Sequence, residues 1–227
     1  MRSAQADGKK GSLKWIQRAV NAHAAELEAP ILAALSPARS IEWRSPLLTD
    51  DLAEYRDASF LDAVGLGSLS SQLADFWPRR GPQWDALGLT DAGHVLLVEA
   101  KAHIGEFCSP ASDASPASLA KIHAALASTA KAVGATPEDA ERWSGRFYQY
   151  TNRLAHLVWL RQHGVEAILV LVGFCHDDEM PGETTPEAWA AAYQVADFAL
   201  GIPRRNPYSR YIVHVCPSVV SLERGIQ

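Results

Sequence analysis

At 227 residues and 24.7 kDa, with 48% of residues hydrophobic, the chain is long enough to bury a core as one domain and too short for two full ones. A formal net charge of -5 and a pI near 5.9 exclude a surface that attracts nucleic acid everywhere and leave only local basic patches for such a role. No apolar run approaches the roughly 18 residues a membrane span needs, Met1 to Gly11 carries no apolar signal stretch, and Cys108, Cys175 and Cys216 include no Cys-x-x-Cys pair. The expectation is a cytoplasmic, reduced protein with no membrane association.

Ser12 to Glu28 reads as an amphipathic helix through Leu13, Ile16, Val20 and Leu27, which Pro30 then resets. A first strand is expected around Ile41 and Trp43, within Ser40 to Leu48. From Thr49 the pattern is helical again through Leu52, Tyr55, Phe60 and Leu61, until Gly65 closes it; Gly67 to Arg80 fits neither period. Pro82 to His103 reads as a β-hairpin around Asp91-Ala92-Gly93. Val95 to Val98 is apolar at successive positions, so both faces of that strand are covered and it lies inside the sheet.

A Ser/Pro/Ala loop follows, then a helix capped by Ser115, with Pro116 at its first position, that ends near Gly134. Thr136-Pro137-Glu138-Asp139 starts another helix, extending, with or without a break, to His163 along Phe147, Tyr150, Leu154, Leu157 and Val158. Ala167 to Phe174 is a second fully apolar strand, expected to run parallel to the first because a helical crossover separates them. His176 to Glu179 reads as a surface loop, Thr185-Pro186-Glu187 caps a last helix that ends at Gly201, and Tyr211 to Val215 is a final strand. The sum is α/β: one mixed sheet with helices around it.

If Gly93 takes the left-handed position of a three-residue turn, Thr90 pairs with His94 and Asp85 falls opposite Glu99. Side chains opposite each other share a face, with Cβ atoms roughly 4.5 to 5.5 Å apart, so the two carboxylates repel unless a cation lies between them. Lys101, two residues on, projects from that face. Such a pair suits a hard divalent cation, Mg²⁺ or Mn²⁺, which prefers oxygen ligands and keeps waters that a phosphate can replace.

Asp85, then Glu99-Ala100-Lys101 at the end of a buried strand, then a helix and a parallel strand, resembles the PD-(D/E)XK nuclease superfamily and looks like a bacterial group within it. The likeness covers roughly Ser12 to Phe174 and is specific at the hairpin. It implies a restriction endonuclease-like fold: three layers, a central mixed β-sheet whose hairpin carries the site, and helices on both faces. It implies one domain over 1–227, with a helical insertion around 104–140. It also implies Asp85, Glu99 and the main-chain carbonyl of Ala100 as metal ligands, Lys101 as the residue that orients or deprotonates water, and nucleic acid, foremost DNA, as substrate.

By the same likeness, Gln149 joins the catalytic residues from the following helix, and an early acidic residue, Glu54 ahead of Glu26, joins the metal. Arg153, one turn beyond Gln149, and Arg79 with Arg80 before the hairpin are the candidate nucleic-acid contacts; Arg204, Arg205 and Arg210 are further basic positions. The pattern departs from the superfamily in two places: Pro82 stands three residues before Asp85, and a long insertion separates Lys101 from the helix of Gln149. A noncatalytic nucleic-acid or protein-binding module on the same fold is the competing expectation. The oligomeric state is open, a homodimer being compatible.

Overall fold

In the computed structural model, which describes residues 1–182 and 184–225, the chain begins with a two-residue strand, β1 (Arg2–Ser3), and two helices, α1 (Gly11–Asn21) and α2 (Ala25–Ala34). The single helix expected over Ser12 to Glu28 is therefore two. The break comes at Ala22 to Ala24, where His23 takes φ +49°, and α2 runs on through Pro30, which withholds only one amide from it. Next come β2 (Ile41–Ser45), β3 (Glu54–Tyr55), α3 (Ala58–Ala63) and α4 (Ser70–Phe76). The helix expected from Thr49 is absent up to Tyr55, because Asp51 and Leu52 both take positive φ and turn the chain into β3, which pairs with β1.

The hairpin is β4 (Ala86–Thr90) and β5 (Val95–Lys101), followed by α5 (Ile104–Phe107), α6 (Pro116–Val133) and α7 (Pro137–Ala140). Ser115 caps α6 and Gly134, at φ +85°, closes it; Thr136 and Asp139 cap α7 reciprocally. A 3-10 turn and Phe147, at φ +67°, separate α7 from α8 (Tyr148–Gln162). The chain then forms β6 (Ala167–Gly173), α9 (Pro186–Ala199), β7 (Ile212–Val215) and α10 (Val219–Gly225).

Five strands make one mixed sheet in the order β2-β4-β5-β6-β7; β4 is antiparallel to both β2 and β5, while β6 is parallel to β5 and to β7. Alternation along the strands sends side chains to two cores. Leu87, Leu97, Leu169 and Leu171 pack with Leu126, Leu157 and Trp189 from α6, α8 and α9. Leu96, Val98, Ile168 and Val170 pack on the opposite face with Trp15, Ile16, Leu27 and Ile31 from α1 and α2. Asp177, in the loop after β6, is buried rather than at the surface and accepts from Trp15 Nε1 at 2.7 Å. Glu99 and Lys101 continue the row of Val95 and Leu97 and so lie on the α8 face of the central strand.

Candidate functional site

The hairpin register places the site. Gly93 sits at φ +85°, the Thr90 amide donates to the His94 carbonyl at 3.0 Å, and Leu89 to Ala86 pair with Val95 to Val98 in turn. One further step puts Asp85 opposite Glu99, just where β4 gives way to a bend. Because the chain turns there, the Asp85 carboxylate reaches across and accepts the Ala100 amide at 2.7 Å.

Glu99 is buried and held from two sides, its Oε1 by Lys101 Nζ and its Oε2 by Arg153 Nε, each at 2.5 Å. Arg153 comes from α8 and is itself buried. Its other nitrogens donate at 2.8 Å to Asn152 Oδ1 and to the main-chain carbonyl of Gln83, and its guanidinium stands 5.1 Å from the centre of the Trp84 ring. The Gln83 side chain donates to Glu54 Oε2 at 2.5 Å, and Gln5 reaches the same oxygen at 3.3 Å. Glu54, Gln83, Arg153, Glu99 and Lys101 thus form one continuous polar chain, buried at Glu54, Arg153 and Glu99, with Asp85 beside it.

Burial drives the charge states. It pushes Asp85 up to about 8, helped by the negative charge of Glu99, so this carboxyl keeps its proton at neutral pH. Glu99 is equally desolvated, but the charges of Arg153 and Lys101 outweigh that and hold it below the ordinary range. Burial alone would lower Lys101; the charge of Glu99 and its hydrogen bond reverse the sign, and it stays an ammonium. Desolvation raises Glu54, against the pull of its bond from Gln83. One protonated and one ionised carboxyl across a hairpin is how two close acids share a site with no cation between them.

No family model, curated protein or solved structure matches this chain.

Of the two early acidic residues, Glu54 is in the cluster, carried by β3 and not by a helix; Glu26 lies on α2, on the other side of the sheet. Gln149 and Tyr150 share a narrow crevice with Glu99 and Lys101, and the main-chain amide of Gln149 donates to Ser109 Oγ at 3.0 Å. Arg79 and Arg80 are exposed; Arg80 and Arg56 line a groove of about 470 Å³ together with Gln83, Gln149, Arg153 and one acidic residue, Asp113. The residue that sequence reasoning missed is Gln83, whose only signal was its place two residues before Asp85; Trp84, a core tryptophan that flanks the site in the sequence, stands beside Arg153.

Among the described residues, no three His, Cys, Asp or Glu side chains stand ready as a metal cluster, and no helix is long and apolar enough to cross a membrane. The carboxylates instead rest on Lys101, Arg153, Gln83 and the Ala100 amide. The donor set nevertheless suits a hard cation, because every candidate donor is oxygen.

Proposed function

We propose that this chain is a divalent-metal-dependent nuclease of restriction endonuclease-like fold, one domain with its insertion at α5 to α7, that hydrolyses phosphodiester bonds of nucleic acid, foremost DNA. What carries the reading is the gathering of Glu54, Asp85 and Glu99, from three different segments, with Lys101 in one cluster, buried at Glu54 and Glu99 and partly buried at Asp85 and Lys101. Burying so many ionisable groups costs stability rather than adding it, and strongly shifted carboxyls in such a cluster are a mark of function.

Asp85 and Glu99, with Glu54 and the Ala100 carbonyl, are the residues that would hold Mg²⁺ or Mn²⁺. When bound, such a cation supplies charge against the phosphate and acidifies a water. Lys101, kept cationic by its neighbours, positions that water and offsets negative charge; it does not take up its proton. Arg153 fixes the Glu99 rotamer from behind, and Arg80 with Arg56 gives the strand's phosphates a basic path to the cluster.

The test is cleavage of plasmid and oligonucleotide DNA, and of RNA, with added Mg²⁺ or Mn²⁺. Glu99→Ala and Lys101→Ala should each lose about 100-fold or more in rate while keeping the wild-type circular dichroism spectrum. If both variants cut as wild type does, the catalytic assignment is wrong. One observation favours a second reading, a noncatalytic binding module: Lys101 and Arg153 already neutralise Glu99. That reading expects wild type to bind nucleic acid or a protein partner with no turnover under any divalent metal.

A further inference from the structure

A second cavity, of about 320 Å³, adjoins the arginine-lined groove, and Trp77 and Gly81 line both. Its walls are mostly apolar, from Leu73 and Ala74 of α4, Ala58 of α3 and Pro78, with Ser70, Asp57 and Arg79 as polar members, and its size falls within the roughly 300–1,000 Å³ of ligand sites. At its inner end is His156 of α8, 1% exposed and pushed down to about 3 by burial, hence neutral. Its Nδ1 lies 2.8 Å from the Asn152 carbonyl, which can only accept, so the proton sits on Nδ1 and Nε2 is a bare acceptor.

Nε2 has no hydrogen-bond partner among the described residues. It lies at the Gly81 wall, where a Cβ would come within 3.7 Å of it. Aromatic rings surround the imidazole: the centroid of Trp77 is 4.9 Å away and that of Phe76 5.6 Å.

The partition between groove and cavity is held under strain. Asp57 takes φ 54° with ψ -147°, a region that non-glycine residues avoid, and Arg80 takes φ +66°. The Asp57 carboxylate accepts the amides of Arg80 at 3.2 Å and Gly81 at 2.9 Å and so clasps the two segments together.

We propose that this cavity receives one unpaired base of a strand whose phosphates lie in the groove, making the substrate class single-stranded or unpaired nucleic acid. The inference rests on the nucleic-acid reading given above. A base stacked and paired within a duplex cannot enter a cavity beside the backbone path; an unstacked base can, and aromatic and apolar walls replace the stacking it gives up. His156 Nε2 accepts from an amino or ring N–H of that base. The arginines lie along the groove, where a strand continues past the base, and this favours a polymer over a free nucleotide.

Ala74 of α4 and Ala58 of α3 are exposed residues that line the cavity, so Ala74→Phe and Ala58→Phe fill it without touching the cluster. Binding is read by fluorescence anisotropy in EDTA, where nothing is cut, with a labelled strand of about ten nucleotides, the same strand carrying abasic positions, and its duplex. The strand should bind about tenfold or more tightly than the duplex, and the abasic strand and each variant should lose about tenfold.

The proposal is overturned if duplex binds as well as strand, if abasic positions cost nothing, or if free mononucleotides compete as well as the strand. The abasic arm uses wild type alone, so it decides even where a variant fails to fold. Cleavage in Mg²⁺ separates the two readings. Cutting by wild type with unchanged binding by the variants removes the base cavity and keeps the nuclease; base-dependent binding with no cutting does the reverse.

Discussion

Replacing Arg153 with methionine removes one of the two cations on Glu99 and keeps most of the side-chain volume. The pair is almost dry, with the Arg153 side chain 7% and that of Glu99 5% exposed. At 2.5 Å and an effective dielectric near 20, unit charges attract by about 7 kcal/mol, while bringing each ion out of water costs several kcal/mol. The whole pair is therefore close to break-even, and the large effect comes from leaving one ion behind: about 3–5 kcal/mol. Lys101 still holds Glu99 Oε1 in the variant, which puts the loss near the lower end, about 3 kcal/mol, or a melting point lower by roughly 6–12 °C. Glu99→Gln strands Arg153 and Lys101 together and should cost a similar amount. The double variant removes both members, so its loss should fall short of the sum by about 2 kcal/mol. Urea denaturation of all four proteins in EDTA measures this; a single Arg153→Met loss under about 1 kcal/mol, or additivity within about 0.5 kcal/mol, refutes the account of the cluster.

Two further changes follow from the same geometry. Asp85 is raised to about 8 in the folded protein, so between the ordinary carboxylate range and that pH the folded chain keeps a proton that the unfolded chain releases, and this stability is lost as pH rises. Asp85→Asn imitates the protonated form; its advantage over wild type in EDTA should grow from nothing near pH 4 to as much as about 4 kcal/mol at pH 7, and a difference that is flat with pH counts against the burial argument. Away from the site, a Cβ on Gly173 would stand 2.6 Å from the indole of the buried Trp189, so Gly173→Ala should cost about 1–3 kcal/mol in thermal denaturation; unchanged stability would show that α9 shifts freely on the sheet.

The parts of the fold legible in the sequence were those fixed by local chemistry. Asp91-Ala92-Gly93 set the hairpin register, which then carried Asp85 to its place opposite Glu99; Ser115-Pro116 and Gly134 bounded α6; and the unbroken apolar runs at Val95 and Ala167 named the two central strands. What escaped was set by tertiary contact. Helical spacing in Leu52 and Tyr55 could not reveal that Asp51 and Leu52 turn left-handed to feed β3, nor that His23 divides the first helix. The polar stripe of Asn152, Arg153 and His156 resembles a solvated face in sequence, yet all three are buried. Their partners, Glu99, Gln83 and the aromatic wall, lie far away along the chain.

Arg153 connects these observations. Taken as a phosphate contact, it would add to the basic groove; buried against Glu99, it contributes almost nothing there and decides instead how Glu99 is charged and aimed. A cation between Asp85 and Glu99 would take over part of the neutralisation that Lys101 and Arg153 now provide alone, and would draw the proton from Asp85. Metal binding should then release protons near neutral pH, a coupling that isothermal titration in buffers of different ionisation heat reads directly. If Mn²⁺ binds with the same apparent heat in every buffer at pH 7, Asp85 is not the group the metal displaces a proton from, and the metal reading of the cluster fails at its central residue.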